Sequence, residues 1–306
     1  MKGISAMSKV SEPVEFVINC FERNIDEVTA PGFLAQAVQQ HCYPFAVRTL
    51  LINNVTDRAR AEAMANDCLS RGEIDRFCFV DDLRERSFKQ VGLTEKDFGR
   101  FLHWSDCCVV ALVMDGPDLL CYVDVDLTLR PAMDWITPAL LVMRHDRRVA
   151  VGNPAWVMPN GYSPVAAEAD ETGEGFILGY GFSDMIFLAR RSQLARPLLR
   201  RWIPLWLECP ATMRFPGAPL GLFFEQIAEG YLRLHHLRRV TVLGTAFEPI
   251  PISDYPVTGL LERIRRKRNS LVTAGLVVAR RRWPRLITSP RLRYTGLLDP
   301  EFQVDR

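Results

Sequence analysis

The 306-residue sequence has eight cysteines but no Cys-x-x-Cys pair. They are scattered through apolar runs, which is typical of small buried side chains and argues against a zinc site built from cysteine pairs. No N-terminal stretch joins a basic head to an apolar core, and no apolar run reaches the roughly 18 residues of a membrane span. Hydrophobic residues make up 48% of the chain, so wholesale disorder is excluded. We therefore expect an intracellular globular protein with reduced thiols.

Glycine is absent between Ser11 and Pro31, the segment that contains the first predicted strand and the turn after it. Dinucleotide-binding folds place G-x-G-x-x-G in this turn, because glycines let the backbone approach the pyrophosphate. The absence argues against NAD, FAD and Walker-type nucleotide sites. It also disfavours a sugar nucleotidyltransferase, which needs a glycine-rich basic loop at the same place.

Positive charge is concentrated near the end of the chain. Residues 261–293 contain eleven Lys and Arg residues and one acid, whereas the whole chain has a net charge of only +2. A basic segment of this kind favours a polyanionic partner. Its apolar stretch, residues 271–279, is too short to cross a bilayer but long enough to lie in its interface. We expect peripheral binding to an anionic membrane and no nucleic-acid partner; the alternative is a helix packed on the body.

Short apolar runs alternate with helical patterns in the first 125 residues, which predicts βαβ units and a mostly parallel sheet covered by helices on both faces. The predicted strands are Val14–Asn19, Val47–Ile52, Arg76–Val80 and Leu119–Val123. Polar residues follow each of them, and ligands bind beyond the carboxyl ends of such strands. The four polar ends are Asn19-Cys20, Asn53-Asn54, Asp81-Asp82 and Asp124-Val125-Asp126.

Helical patterns are predicted over residues 26–41, 57–71, 94–114, 192–207 and 222–231. Later strands are predicted over residues 149–152, 155–157, 186–189 and 240–243. Residues 158–175 are rich in glycine, proline and acids, without an apolar period. We expect this stretch to be a mobile loop that closes over the substrate.

The strongest motif is the pair Asp124 and Asp126, separated by one residue at the end of an apolar strand. This spacing can direct both carboxylates toward one ion. Oxygen-only ligands favour a hard cation such as Mg²⁺ or Mn²⁺. The alternative is that the two acids only cap the turn before Pro131.

With these residues in place, the chain resembles nucleotide-sugar-dependent glycosyltransferases of the GT-A fold, especially the family-two-like group, over about residues 14–250. The resemblance implies an α/β fold of GT-A type with a Rossmann-like, mostly parallel central sheet and a basic C-terminal helical tail. The segment Gly181–Arg191 is similar to the family's glycine, strand and paired arginines of the acceptor region. The helix that begins near Glu225, followed by a strand, is also similar.

The resemblance implies a role for each matching residue. The donor nucleotide is expected at Asn19, Phe21, Glu22, Asn53, Asp81 and Asp124. The Mn²⁺ or Mg²⁺ ion is expected at Asp124 and Asp126, with His235 and His236 as candidate further ligands. Glu225 is the candidate general base, with Asp184 and Glu229 as alternatives. Two positions depart from the family pattern: Asn53 replaces an Asp that binds the base, and Gln226 replaces an acid beside Glu225.

The expected activity is metal-dependent transfer of a hexosyl group from a UDP or GDP sugar to an acceptor hydroxyl, with inversion favoured over retention. The expected setting is bacterial cell-surface or lipid-linked glycan synthesis, in the cytoplasm or on the inner face of the plasma membrane. Residues 11–130 would bind the nucleotide sugar, residues 131–258 the acceptor, and residues 259–306 form the basic extension. Two alternatives stay open: a non-catalytic GT-A-like scaffold recruited to a polyanion, and a sugar nucleotidyltransferase.

Overall fold

The computed structural model describes residues 12–125, 127–156, 169–199 and 222–249 of the chain. Ten strands in these ranges form one sheet. The strands are β1 (Val14–Phe21), β2 (Val47–Asn53), β3 (Arg76–Phe79), β4 (Leu119–Asp124), β5 (Leu127–Arg130), β6 (Val149–Trp156), β7 (Glu171–Gly173), β8 (Phe176–Gly179), β9 (Ile186–Arg190) and β10 (Arg238–Pro249).

Nine α-helices lie in the same described ranges. They are α1 (Ile25–Val28), α2 (Phe33–Gln39), α3 (Arg58–Ser70), α4 (Val80–Val91), α5 (Glu95–Phe98), α6 (Leu102–Val113), α7 (Ile136–His145), α8 (Arg191–Leu194) and α9 (Phe224–Leu234). None of the described helices has the length and apolar character needed to cross a bilayer.

The sheet order is β3-β2-β1-β4-β9-β6-β10-β8-β7, and β5 pairs with β10 outside this path. β3, β2, β1 and β4 are parallel neighbours. β9 is antiparallel to both β4 and β6, and β10 runs parallel to β6. Six of the ten strands therefore point the same way: β1, β2, β3, β4, β6 and β10. The mixed α/β class with a mostly parallel central sheet, expected from the sequence, is confirmed.

Apolar side chains of the central strands pack against helices on both faces of the sheet. Because successive side chains of a strand point to opposite faces, Val17 belongs to the layer under α4, α6 and α9, whereas Phe16 and Ile18 face α1, α2, α3 and α7. Burial on both faces explains why the strands are apolar without interruption. The prediction of helices on both faces is confirmed.

Several predicted elements have different boundaries in the structure. The predicted helix over residues 94–114 is divided into α5, a 3-10 turn and α6, with a positive φ of 53° at Gly99. Gly32, with φ of 89°, likewise separates α1 from α2. Asp81 and Asp82 do not form a loop after β3; they lie in the first turn of α4, where acids complement the helix dipole.

The second half of the chain holds further differences. The predicted helix over residues 192–207 ends at Leu194 in the described part of the chain. Within the predicted mobile loop, residues 171–173 form β7 and pair with β8, so this part of the prediction was wrong. Residues 158–168 of that loop, and the basic extension 259–306, lie outside the described residues. The prediction missed α7, β5 and the long helix α4.

A buried ion cluster of Glu15, Arg76 and Arg191 lies at the amino edge of the sheet, the edge at which β1 and β4 begin. Glu15 on β1 is fully buried, and its carboxylate accepts hydrogen bonds from Arg76 at 2.5 Å and Arg191 at 2.8 Å. The Thr49 hydroxyl donates to the same carboxylate. The resemblance placed the paired arginines 190 and 191 in an acceptor region; the structure places Arg191 in this cluster, and Arg190 also pairs at the amino edge, with Glu12.

Candidate functional site

Three polar side chains end neighbouring strands on one face of the sheet. Asn19 on β1 lies opposite Leu51 on β2 and Asp124 on β4. Asn53 is two residues beyond Leu51, so it shares that face. We call this edge, where β1, β2 and β4 end, the carboxyl edge. The sequence predicted that these polar ends would meet, and the topology brings Asn19, Asn53 and Asp124 into one row.

Asn53 is held by helix α6. Its Nδ2 donates to the backbone carbonyl of His103 at 2.8 Å and to the carboxylate of Asp106 at 2.9 Å. Both amide hydrogens are therefore engaged, and the buried Oδ1 of Asn53 has no hydrogen-bond partner. Oδ1 of Asn19 is also buried without a hydrogen-bond partner. The row thus contains two amide oxygens whose accepting capacity is unused.

Asp106 is fully buried beneath this row. Burial raises the pKa of its carboxyl, while the charge of Arg84 and hydrogen bonds from Arg84 and Asn53 act in the opposite direction. The Arg84 guanidinium also pairs with Asp81 at 2.5 Å. Asp81, a predicted nucleotide-binding residue, is exposed at the start of α4. Its pairing with Arg84 connects it, through Asp106, to the row.

The first half of α6 contacts a different element with each successive residue. Ser105 Oγ accepts the backbone N–H of Phe224 on α9, and Asp106 binds Asn53 on β2. Cys107 Sγ accepts the hydroxyl of Tyr122 on β4, and Cys108 Sγ lies 3.6 Å from the carbonyl oxygen of Asp184. Sequence reasoning missed these α6 residues because each reads as part of a buried apolar helix. A run of small polar residues within that helix is the signal that could have identified them.

Asp124 and Asp184 lie beside the same buried thiol. Burial raises the pKa of Cys108 well above its ordinary value, and the fields of Cys107, Asp184 and Asp124 raise it further. The two segments also meet through the backbone, because the N–H of Asp124 donates to the carbonyl of Met185 at 2.6 Å. Asp184 is therefore at the carboxyl edge with Asp124, as its candidate role requires.

Asp184 also contacts the start of α9. Burial raises the pKa of its carboxyl to about 6, and hydrogen bonds from its own backbone N–H and from that of Glu225 act in the opposite direction. Glu225 is half-buried in the first turn of α9. The next residue, Gln226, accepts the N–H of Phe223 through its side-chain oxygen at 3.2 Å. Gln226 thus caps the helix, a role for which a glutamine is suited.

Phe21 and Glu22 shape the turns beside the row. The backbone N–H of Phe21 donates to Asn24 Oδ1 at 2.8 Å, which closes the turn after β1. The Glu22 carboxylate accepts the N–H of Thr56 at 2.6 Å and connects this turn with the one after β2. Both residues lie at the carboxyl edge, and Glu22 is exposed there.

The structure does not bring His235 and His236 to this edge. They are exposed at the end of α9, whereas Glu225 is in its first turn, about 15 Å away along an 11-residue helix. β10 then begins beside Val149, at the amino edge. The prediction that this pair joins Asp124 as metal ligands was therefore wrong. Glu229, the alternative base, is buried in an ion pair with Arg233 at 2.6 Å.

In the described ranges no group of three or more His, Cys, Asp or Glu side chains is placed to hold a metal ion. Asp126 lies outside the described residues. Mg²⁺ nevertheless needs only one or two carboxylates when phosphate oxygens and water complete its shell. Asp124 and the unused oxygen of Asn19 directly opposite it are hard donors of the kind such a cation requires.

No protein-family model matches the chain. No curated protein matches it by sequence. Among solved structures, it is similar to GalNAc-T7, solved with UDP, GalNAc and Mn²⁺, with a TM-score of 0.43 and 10% identity. It is also similar to TarS of S. aureus (0.43, 11%) and to the galactosyltransferase LgtC in complex with donor and acceptor sugar analogs (0.40, 13%).

These similarities cover 81%, 78% and 84% of this chain respectively. The chain spans 46% of GalNAc-T7, 60% of TarS and 95% of LgtC.

Proposed function

We propose that this protein is a glycosyltransferase of GT-A type that transfers a sugar from a nucleoside-diphosphate sugar to an acceptor hydroxyl. The observation that carries the proposal is the meeting of Asn53, Asn19 and Asp124 in one row at the carboxyl edge, with Asp184 and Glu225 beside them. In open α/β sheets this edge is where ligands bind. A nucleotide, a diphosphate and a reacting sugar need an adjoining set of polar groups of this kind.

The row provides the donor-binding groups. The side-chain amide of Asn53 donates both of its hydrogens, to Asp106 and His103, so its oxygen is the atom that can bind a nucleobase. An amide oxygen in this position can accept an N–H from the base, such as the ring N–H of uracil or guanine. Asn19, Phe21, Glu22 and Asp81 would line the same side of the donor.

A divalent cation fits the diphosphate end of the row. Asp124 would hold Mg²⁺ or Mn²⁺, together with Asp126. When bound, such an ion stabilises the negative charge that develops on the departing diphosphate. Asp124 is rigidly placed for this, because its own N–H is bound to Met185 and its strand is paired on both sides.

Glu225 is the residue we assign to deprotonate the acceptor hydroxyl in an inverting reaction. It is half-buried at the start of α9, beside Asp184. Glu229 is engaged with Arg233, and Gln226 cannot accept a proton. Under a retaining reaction Glu225 would have no such role, so its substitution separates the two outcomes.

Nucleotide binding tests the proposal directly. Isothermal titration with UDP and GDP should show binding that depends on Mn²⁺, and Asp124→Asn should weaken it at least about tenfold. Asp126→Asn should do the same, while Asp146→Asn, at the amino edge after α7, serves as the matched control and should bind normally. Undiminished affinity in both Asp124→Asn and Asp126→Asn would remove the cation from this edge. Absence of any nucleotide binding would favour the scaffold alternative.

We further propose that the basic segment 261–293, which lies outside the described residues, holds the enzyme on an anionic membrane surface. Its eleven basic residues would each contribute about 1 kcal/mol near anionic lipid at low salt. A lipid-linked acceptor at the inner face of the plasma membrane fits an enzyme held in this way. Bacterial cell-surface glycan synthesis is the setting that we propose.

A further inference from the structure

The first two backbone N–H groups of α9 are bound by side chains from two other parts of the chain. Helix starts leave their N–H groups unsatisfied, and a Ser, Thr, Asp or Asn at the N-cap position normally accepts one of them. Here the N-cap residue is Phe223, whose ring has no acceptor oxygen. Ser105 accepts the N–H of Phe224 at 3.1 Å instead. The Asp184 carboxyl lies against the next N–H, that of Glu225, and this contact acts to lower the pKa of Asp184.

Both acceptors belong to segments that are themselves fixed to the carboxyl edge. Ser105 is fully buried on α6 and is followed by Asp106, which binds Asn53 at the end of β2. Asp184 is followed by Met185, whose carbonyl accepts the N–H of Asp124 at the end of β4. The start of α9 is therefore connected, through one residue on each side, to two of the three strand ends that form the row, those of β2 and β4.

Asp184 lies against the backbone at the start of α9. Its carboxylate accepts two backbone N–H groups, one from its own residue and one from Glu225. A carboxylate at a helix start also complements the positive end of the helix dipole. One of these two donors is the α9 backbone, and the Glu225 side chain extends from that backbone.

We propose that Ser105 and Asp184 are positioning residues that fix the start of α9 and thereby place the Glu225 carboxylate at the carboxyl edge. The inference rests on the proposed function only for the role of Glu225. The attachment of the α9 start to Ser105 and Asp184 is a property of the fold and can be measured without any substrate. It also gives Asp184 and Glu225 different roles, although the sequence left these two acids as alternatives for the general base.

Hydrogen exchange of the α9 amides tests whether Ser105 and Asp184 hold the start of the helix. Removing a capping acceptor should speed exchange of the Phe224 amide in Ser105→Ala, and of the Glu225 amide in Asp184→Ala, by about fivefold to tenfold. Asp184→Asn retains an oxygen acceptor and should keep the Glu225 amide protected, which guards against general misfolding as the cause. His235→Gln, at the other end of the same helix, is the control and should leave both amides unchanged. Unchanged exchange in both Ala variants would overturn the inference.

Turnover of a UDP or GDP sugar with Mn²⁺ is the second readout. Ser105→Ala and Asp184→Ala should lower kcat by about tenfold or more with donor KM within about threefold, because Glu225 is displaced while the donor row is intact. Asp184→Asn should restore kcat to within about threefold of the native enzyme. If Asp184→Asn is as inactive as Asp184→Ala while its Glu225 amide stays protected, Asp184 itself transfers the proton and the inference is wrong. If the native chain has no turnover, the proposed function fails. Hydrogen exchange then decides by itself whether Ser105 and Asp184 hold the start of α9.

Discussion

Asn53 at the end of β2 donates a hydrogen bond to the carboxylate of Asp106 on α6 over 2.9 Å, and both side chains are buried. The resembling family carries an acid where this chain has Asn53. The contact explains the difference. A second carboxylate at residue 53 would face that of Asp106 without a proton between them. The amide of Asn53 and the charge of Arg84 together make a buried acid at residue 106 tolerable.

Swapping the residue types at positions 53 and 106 should show that the buried carboxylate of Asp106 depends on the amide of Asn53. Asn53→Asp should lower the free energy of unfolding by about 1–3 kcal/mol at pH 7, because it removes a buried donor and adds like charge. The double variant Asn53→Asp with Asp106→Asn restores one amide and one carboxylate, and should recover at least half of the loss. Urea unfolding of the single and double variants measures the coupling. Additive losses would show that the two side chains do not interact.

His41 should make the protein less stable as pH falls below about 6.5. Its ring is buried, Nδ1 accepts the Trp135 indole N–H at 3.0 Å, and burial lowers the pKa of His41 to about 3. The unfolded chain binds a proton near pH 6.5 and the folded chain does not, so stability is lost between about pH 6.5 and 3, by at most about 1.4 kcal/mol per pH unit.

The control for this prediction is His41→Gln, which retains an acceptor for Trp135 but does not titrate. The difference in stability between native and variant protein should shrink as pH falls from 7 to 5. Taking the difference is necessary because the raised pKa of Asp184 acts in the opposite direction over this range. A difference that stays constant with pH would mean that His41 binds its proton in the folded chain as readily as in the unfolded chain.

The buried Glu15 cluster should be essential for stability. Glu15→Gln removes the charge that two arginines share, and should cost about 3 kcal/mol of unfolding free energy. Glu12→Gln, which removes a partly exposed partner of Arg144 and Arg190 nearby, should cost less than about 1 kcal/mol. Thermal and urea unfolding would compare them. Equal losses would mean that burial of Glu15 adds nothing.

Glu225→Gln should reduce turnover by about 10²–10⁴-fold with little effect on nucleotide affinity, because an amide cannot accept the acceptor proton. Glu62→Gln, on the exposed surface of α3, is the control. Steady-state kinetics and UDP titration measure the two effects separately. Near-normal turnover would favour a retaining reaction or a base elsewhere.

Membrane association should depend on the basic segment and on salt. The full chain should co-sediment with anionic liposomes at low salt, much less at high salt, and not with neutral liposomes. A chain ending at Gly259 should lose this binding. If the shortened chain binds anionic vesicles equally well, the segment is not the anchor.

The positions of the first four strands along the chain and the polarity of their ends could be predicted from the sequence, since both depend on local pattern. Continuous apolar runs indicated strands covered on both faces, and each run stopped at Asn or Asp. The sequence therefore identified Asn19, Asn53 and Asp124 as members of one edge. It also indicated α3, whose N-cap residue Asp57 accepts the backbone N–H of Arg60, as the sequence predicted.

The partners of those residues could be decided only by the tertiary structure. Asn53 and Asp106 are far apart in sequence, as are Ser105 and Phe224, and no local period connects them. The direction of α9 decided which of its ends reached the carboxyl edge, and so placed Glu225 there and His235 at the opposite edge. A pattern of neighbouring residues determines which side of a strand or helix is buried, but the sheet order and the packing of helices on it determine which buried polar groups meet.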